Sequence, residues 1–123
     1  MRPLLAILLL GFVSASCGNN LAPPGNLTGV WAADYHFPGT SLILNLTQPD
    51  GSVTGTGTYS IEAGRSGTLD VSGSYSPPHV QLSLRYDYGL TLTFDGAVLN
   101  AHQMVGTTSD STGSKSALTF THQ

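Results

Sequence analysis

Thr68-Leu69-Asp70-Val71-Ser72-Gly73-Ser74-Tyr75-Ser76, then Pro77-Pro78, then His79-Val80-Gln81-Leu82-Ser83-Leu84-Arg85-Tyr86 is the stretch that decides the fold. Apolar and polar residues alternate on both sides of the proline pair, the pattern of two half-buried strands joined by a turn. Closing the hairpin at Pro77-Pro78 sets Tyr75 opposite Val80, Val71 opposite Leu84 and Leu69 opposite Tyr86, all on one face. The same register sets Asp70 against Arg85 on the other face. An opposite-charge cross-strand pair of that kind contributes roughly 0.2–1 kcal/mol and disfavours a one-residue slip.

Working outward, a turn at Asp87-Tyr88-Gly89 sets Leu84 against Leu92 and Leu82 against Phe94, so the apolar face continues. Upstream, a turn at Pro49-Asp50-Gly51 sets Leu46 opposite Val53 and places Leu44 and Leu42 against Gly55 and Gly57. Gly, Pro, Asn and Asp recur at short intervals, and no stretch carries helical periodicity. The spacing predicts eight strands, near residues 29–35, 41–47, 52–61, 68–76, 80–86, 90–98, 103–108 and 117–121. Gly55, Gly57, Gly73, Gly96 and Gly106 fall inside them, where a missing side chain lets a sheet bend and gives a bulky neighbour room. Gly57-Thr58-Tyr59-Ser60 and Gly73-Ser74-Tyr75-Ser76 echo one another sixteen residues apart, one hairpin step. The expected fold is all-β: an eight-stranded antiparallel up-and-down meander closed into a barrel, its lumen wide enough for side chains or one small ligand.

Leu27-Thr28-Gly29-Val30-Trp31 begins the first strand with Gly-x-Trp. This resembles the opening shared by lipocalins and avidins, the calycin-type barrels, and the resemblance implies that topology for a domain over residues 27–123. It is closest to avidins in length and in Gly57-Thr58-Tyr59. In the avidins the tyrosine after that glycine contributes to the biotin site, which Tyr59 matches. The rest departs from the pattern: Ala33 stands where those proteins place a biotin-binding Asn, and Trp31 is the only tryptophan, so biotin is not the expected ligand.

Met1-Arg2-Pro3 precedes an apolar run from Leu4 to Val13 that is too short to span a bilayer and reads as the core of an export signal. Val13-Ser14-Ala15-Ser16-Cys17 resembles a lipobox, at which lipoprotein precursors are cut so that the cysteine becomes the lipid-bearing first residue. The resemblance implies a signal peptide over 1–16 and lipidation of Cys17 by a diacylglyceryl group and an N-acyl chain such as palmitate. Two or more chains give stable anchoring. Gly18 in place of Asp implies, by analogy with Gram-negative lipoproteins, delivery to the outer membrane of the cell envelope. Val13-Ser14-Ala15 also satisfies the small-x-small rule of ordinary signal cleavage, which would release a soluble protein with Cys17 as a free thiol. Residues 17–26, with Pro23-Pro24-Gly25, read as a lipidated tether. Cys17 is the only cysteine, so no disulfide forms within one chain.

Removing the signal leaves about 107 residues, enough for one modest core. Charged residues are 9% of the chain, against about a quarter in an average domain, so the surface is polar through hydroxyls. The net charge of −3, with Arg65, Arg85 and Lys115 as the fixed positive charges beyond Arg2, argues against nucleic acid as a partner.

No catalytic residue, cofactor or metal site is predicted. Gly64-Arg65-Ser66-Gly67 lacks the strand-to-helix turn of a nucleophile elbow, and Gly113-Ser114-Lys115-Ser116 lacks the Gly before Lys and the helix of a phosphate loop. Both read as polar loops. Asn26-Leu27-Thr28 and Asn45-Leu46-Thr47 fit a glycosylation sequon that is idle in a bacterial source. Alternate loops of an up-and-down barrel share an end, so His79, His102 and His122 gather at the tether end, where they read as solvated turn histidines. The distal end carries Tyr35, His36 and Phe37, then Glu62 and Arg65, then Tyr86, Asp87 and Tyr88, then Asp110 and Lys115. Aromatics beside a few charges suit a recognition surface. Tyr35, Tyr59, Tyr86 and Tyr88 are the candidate ligand-binding residues; the alternative is that Tyr35, Tyr59, Tyr75 and Tyr86 simply close the barrel.

The expected function is that of a non-enzymatic envelope module acting by protein interaction or as a structural part. Binding of a small hydrophobic ligand in the distal mouth is the alternative. Expected partners are the membrane, through the lipid anchor, and an envelope protein or a small apolar ligand. The set of bulky inward residues predicts a packed tether end and at most a shallow distal pocket.

Overall fold

The alternating stretches form β1 (Gly29–Ala33), β2 (Ser41–Thr47), β3 (Ser52–Ile61), β4 (Arg65–Ser76), β5 (His79–Tyr86), β6 (Thr91–Asn100), β7 (Gln103–Ser109) and β8 (Lys115–His122). They close in chain order into one antiparallel barrel, with β1 against β8. The structure is a computed structural model and describes residues 23–35, 39–61 and 64–123. The signal segment, Cys17, His36, Phe37 and Glu62 lie outside the described residues.

The decisive hairpin has the register read from its alternation: Tyr75 opposite Val80, Val71 opposite Leu84, Leu69 opposite Tyr86 and Asp70 opposite Arg85. The peptide between Pro77 and Pro78 is cis. Leu84 meets Leu92 and Leu82 meets Phe94. Asp70 and Arg85 stand opposite one another, but the contact of a basic side chain with a carboxylate among the described residues is His79 Nε2 to Asp95 Oδ1, at 3.4 Å.

The β2–β3 register differs from the expected one by two residues. Leu46 faces Gly55, Leu44 faces Gly57 and Leu42 faces Tyr59. Gln48 is the cause. Its side chain turns inward, 5% exposed; Oε1 accepts the Leu27 N–H at 2.9 Å and Nε2 donates to the Asp50 carbonyl at 2.6 Å. That arrangement needs a wider loop than a tight turn at Pro49-Asp50-Gly51. A shift of two keeps every side chain on its face, and Val53 then pairs with Gly73 on β4.

Two stretches read as loops are partly strand. Gly64, with φ of +81°, makes the β3–β4 reversal, and Arg65-Ser66-Gly67 pair with Ile61, Ser60 and Tyr59. Lys115 and Ser116 likewise pair with Ser109 and Thr108. In both places the neighbouring ladder outweighs the weak strand preference of Ser, Gly and Lys. β1 ends at Ala33 rather than Tyr35. One further bond, from the Asp34 N–H to the Thr119 carbonyl at 2.8 Å, closes its pairing with β8.

Inward residues fill the lumen. Leu44, Leu46, Leu82, Leu84, Phe94 and Phe120 are fully buried, and the two phenylalanines meet edge to face with centroids 5.1 Å apart. A Cβ on Gly73 would run into the Gln81 carbonyl, and one on Gly96 into the Val105 carbonyl. The strands coil too tightly at those points to carry a side chain.

The tether end is sealed by residues 24–28. Leu27 is fully buried, and its carbonyl accepts Trp31 Nε1–H at 2.9 Å. Asn26 Nδ2 donates to the Gln48 carbonyl at 2.7 Å, and the Gln48 N–H donates to Thr28 Oγ1 at 3.0 Å. The Tyr75 hydroxyl donates to the Pro24 carbonyl. Beside this plug the His122 ring meets Trp31 edge-on at 4.9 Å, in space that a side chain on Gly29 would occupy.

Candidate functional site

The other mouth is built around the turn between β5 and β6. Gly89, with φ of +95°, reverses the chain; its N–H donates to the Tyr86 carbonyl at 3.1 Å, and the Tyr86 N–H donates to the Leu90 carbonyl at 2.8 Å. Asp87 ties this turn to β4 in both directions. Its N–H donates to the Thr68 carbonyl at 3.0 Å, and its Oδ2 accepts the Thr68 N–H at 2.9 Å. Asp87 Oδ1 accepts the Tyr59 hydroxyl at 2.8 Å, which holds that ring across the opening.

The structure brings Tyr35, Tyr59, Tyr86 and Tyr88 together. Ring centroids are 5.1 Å apart for Tyr59 and Tyr86, 5.7 Å for Tyr59 and Tyr88, and 5.7 Å for Tyr86 and Tyr88, all steeply inclined. Tilted contacts at these separations are favoured by the ring quadrupoles. Tyr35 completes the wall of a shallow cavity of about 180 Å³ floored by Leu42 and Leu92. Tyr59 is buried, Tyr35 and Tyr86 are half-buried, and Tyr88 is 47% exposed on the rim. The Arg65 guanidinium lies 5.8 Å from the Tyr88 ring centre, within cation–π range. A second hollow of about 300 Å³ shares Tyr35 and Leu92 and continues to Thr108 and Leu118.

Burial raises three of these phenols. It pushes Tyr59 up to about 12, assisted by the hydrogen bond to Asp87, and raises Tyr86, with the neighbouring tyrosines adding to the effect. Tyr35 is raised by burial alone. Asp87 is held below the ordinary carboxylate value, first by the Thr68 amide and then by the Tyr59 hydroxyl. At neutral pH Tyr35, Tyr59 and Tyr86 therefore stand as neutral rings, with one carboxylate committed to the support of Tyr59. Asp110, in the β7–β8 loop, is lowered chiefly by the Thr112 hydroxyl at 2.6 Å and organises its own turn.

Asp87 and Arg65 are visible in the sequence as loop charges, but nothing in their spacing says that Asp87 reaches Tyr59, 28 residues away. Leu42 and Leu92 read there as ordinary core residues. The histidines at the tether end serve local contacts: His79 turns to Asp95, His122 to Trp31, and the His102 carbonyl accepts the His122 N–H at 2.8 Å. No group of three metal-ligating side chains occurs among the described residues. No protein-family profile matches the chain, and no curated protein is similar to it.

Proposed function

We propose that this chain is a lipid-anchored, calycin-like β-barrel of the bacterial cell envelope that acts without catalysis, as a protein-interaction module presenting its distal rim. The observation that carries the reading is a filled lumen ending in a shallow, tyrosine-rich mouth. A packed interior leaves the rim as the recognition surface, and Tyr and Arg, the residues exposed there as Tyr88 and Arg65, are those enriched at binding hot spots. Support for the anchor is the lipobox-like stretch ending at Cys17, and for the outer membrane the Gly18 that follows it. Support for the calycin likeness is the barrel topology together with Gly29-Val30-Trp31.

A photo-reactive amino acid placed at position 88, with an outer-wall control at position 81, tests the reading in native envelopes. Discrete protein adducts from position 88 and none from position 81 are expected. Equal, diffuse labelling from both positions would overturn it.

The cavity of about 180 Å³ beside Tyr35 and Tyr59 favours a second reading, a small apolar ligand held at the mouth. Stoichiometric uptake of a hydrophobic fluorescent probe, with weak quenching of Trp31 at the far end, is the outcome that reading requires.

A further inference from the structure

We propose that the outer wall between β2 and β6 carries a saccharide-binding groove, centred on Asp70 and Arg85 and separate from the distal rim. The register places five outward polar side chains in one row across the strands. Asn45 faces Thr56, Thr56 faces Asp70, Asp70 faces Arg85, and Arg85 faces Thr91. Neighbouring strands lie about 4.8 Å apart, so the row spans roughly 19 Å. All five residues are exposed.

The wall is hollowed along this row. A depression of about 480 Å³ runs from Val30 and Ile43 past Asn45 and Thr56 to Asp70, with Gly57 in its floor. A second, of about 320 Å³, continues from Asp70 past Arg85 to Thr91. The two share Thr68, Leu69 and Asp70 and so form one groove.

Asp70 and Arg85 face one another at its centre without touching. Among the described residues, the contact between a basic side chain and a carboxylate is His79 with Asp95. Asp87 is committed elsewhere, its two oxygens accepting the Tyr59 hydroxyl and the Thr68 N–H. Glu62, the one acidic residue outside the described set, belongs to the loop beyond Arg65, and Arg65 is five residues and roughly 17 Å further along β4 than Asp70. Both charged groups thus keep their hydrogen-bonding capacity for a ligand.

That capacity defines the ligand. An anion is repelled by the Asp70 carboxylate and a cation by the Arg85 guanidinium. A carboxylate only accepts and a guanidinium only donates, whereas a hydroxyl does both, so one neutral hydroxyl can bridge the pair through two charge-assisted bonds. Thr56 and Thr91 extend the same chemistry along the row, and Asn45 adds an amide. Ile43, 41% exposed on β2, supplies an apolar surface for the C–H face of a sugar ring. A shallow groove that crosses five strands fits a chain, and the ligand class is a neutral oligosaccharide.

Titration with chitohexaose and with maltohexaose, followed by amide NMR on the full-length protein in a detergent without sugar head groups, tests this. At least one of them should shift the Thr56, Asp70 and Arg85 amides and leave Gln81 and Asp95, nearer the tether end of the same wall, in place. Asp70→Asn and Arg85→Gln should fold, since both side chains are exposed, and each should raise the Kd about tenfold, the weight of one hydrogen bond to a charged group. Sodium glutamate and inorganic phosphate should not displace the saccharide. No shift from either saccharide overturns the proposal, as do shifts confined to Tyr59, Tyr86 and Tyr88 or binding indifferent to both substitutions. Displacement by glutamate or phosphate overturns it too, by making the pair an ion site. None of these outcomes touches the interaction reading, which is judged by adducts from position 88.

Discussion

Tyr59 donates its hydroxyl to Asp87 Oδ1 at 2.8 Å, joining β3 to the turn after β5 across the distal mouth. The echo of Tyr59 on the next strand, Tyr75, donates to the Pro24 carbonyl at the opposite end. Because β3 and β4 run antiparallel, two copies of one short pattern close the two ends of the barrel with the same chemistry.

Asp87 ionises below its ordinary 3.8 because the Thr68 amide and the Tyr59 hydroxyl favour its charged form. A carboxyl depressed in the fold contributes stability that is present above its unfolded value and lost as pH falls through the folded one. Wild type should therefore weaken as pH drops below 3.8, and Asp87→Asn should show a shallower decline. Urea midpoints across the acid range provide the comparison; parallel curves would remove Asp87 from that role.

Tyr59 carries the opposite sign. Its phenol is raised from 10.0 to about 12, so the neutral form is favoured by folding and its contribution is complete below pH 10. That contribution should be lost as pH climbs toward 12, with Tyr59→Phe declining less in that window, since the raised Tyr35 and Tyr86 remain in it. Tyrosinate absorbance should show the late titration directly, with one late-titrating phenol fewer in the variant, where the raised Tyr35 and Tyr86 remain.

Gln48→Ala should destabilise the barrel by about 1–3 kcal/mol, because the Leu27 N–H is left buried without its acceptor. Trp31 emission should shift to the red as the base opens to water. A variant with unchanged emission and midpoint would show that the plug does not depend on Gln48.

Gly73→Ala drives a methyl group into the Gln81 carbonyl and should cost roughly 1–3 kcal/mol. Gly51→Ala, with nothing within 4 Å of the new carbon, should stay within about 0.5 kcal/mol of wild type. Denaturant midpoints at constant slope distinguish the two, and equal effects would mean that coiling at Gly73 is not tight.

Mass spectrometry of the native N-terminus should find Cys17 as the first residue, carrying a diacylglyceryl group and an N-acyl chain. A mature chain beginning at Ser16 with a free thiol would eliminate the anchor.

Strand order and most of the pairing were legible because alternation is a local signal, and Pro77-Pro78 and Asp87-Tyr88-Gly89 mark reversals that leave one consistent register. The β2–β3 register was not legible. It depends on a buried Gln48 whose partners include Leu27, 21 residues away. Arg65-Ser66-Gly67 and Lys115-Ser116 have loop-like composition and become strand only through their neighbours. At the site, Tyr35, Tyr86 and Tyr88 were readable from topology and Tyr59 from its match to the avidins, but Asp87 as the support of Tyr59 was not, since a hydrogen bond between distant residues leaves no periodic trace.

The plug at the base is also a handle. A pull on the chain ahead of Pro23 meets Tyr75, Gln48 and Trp31 before it meets the β1 ladder. Those bonds reach β4, the β2–β3 loop and β1 at once, so tension is shared among several strands instead of unzipping the first one residue by residue. A domain drawn by its N-terminal segment is thereby gripped through three elements instead of one.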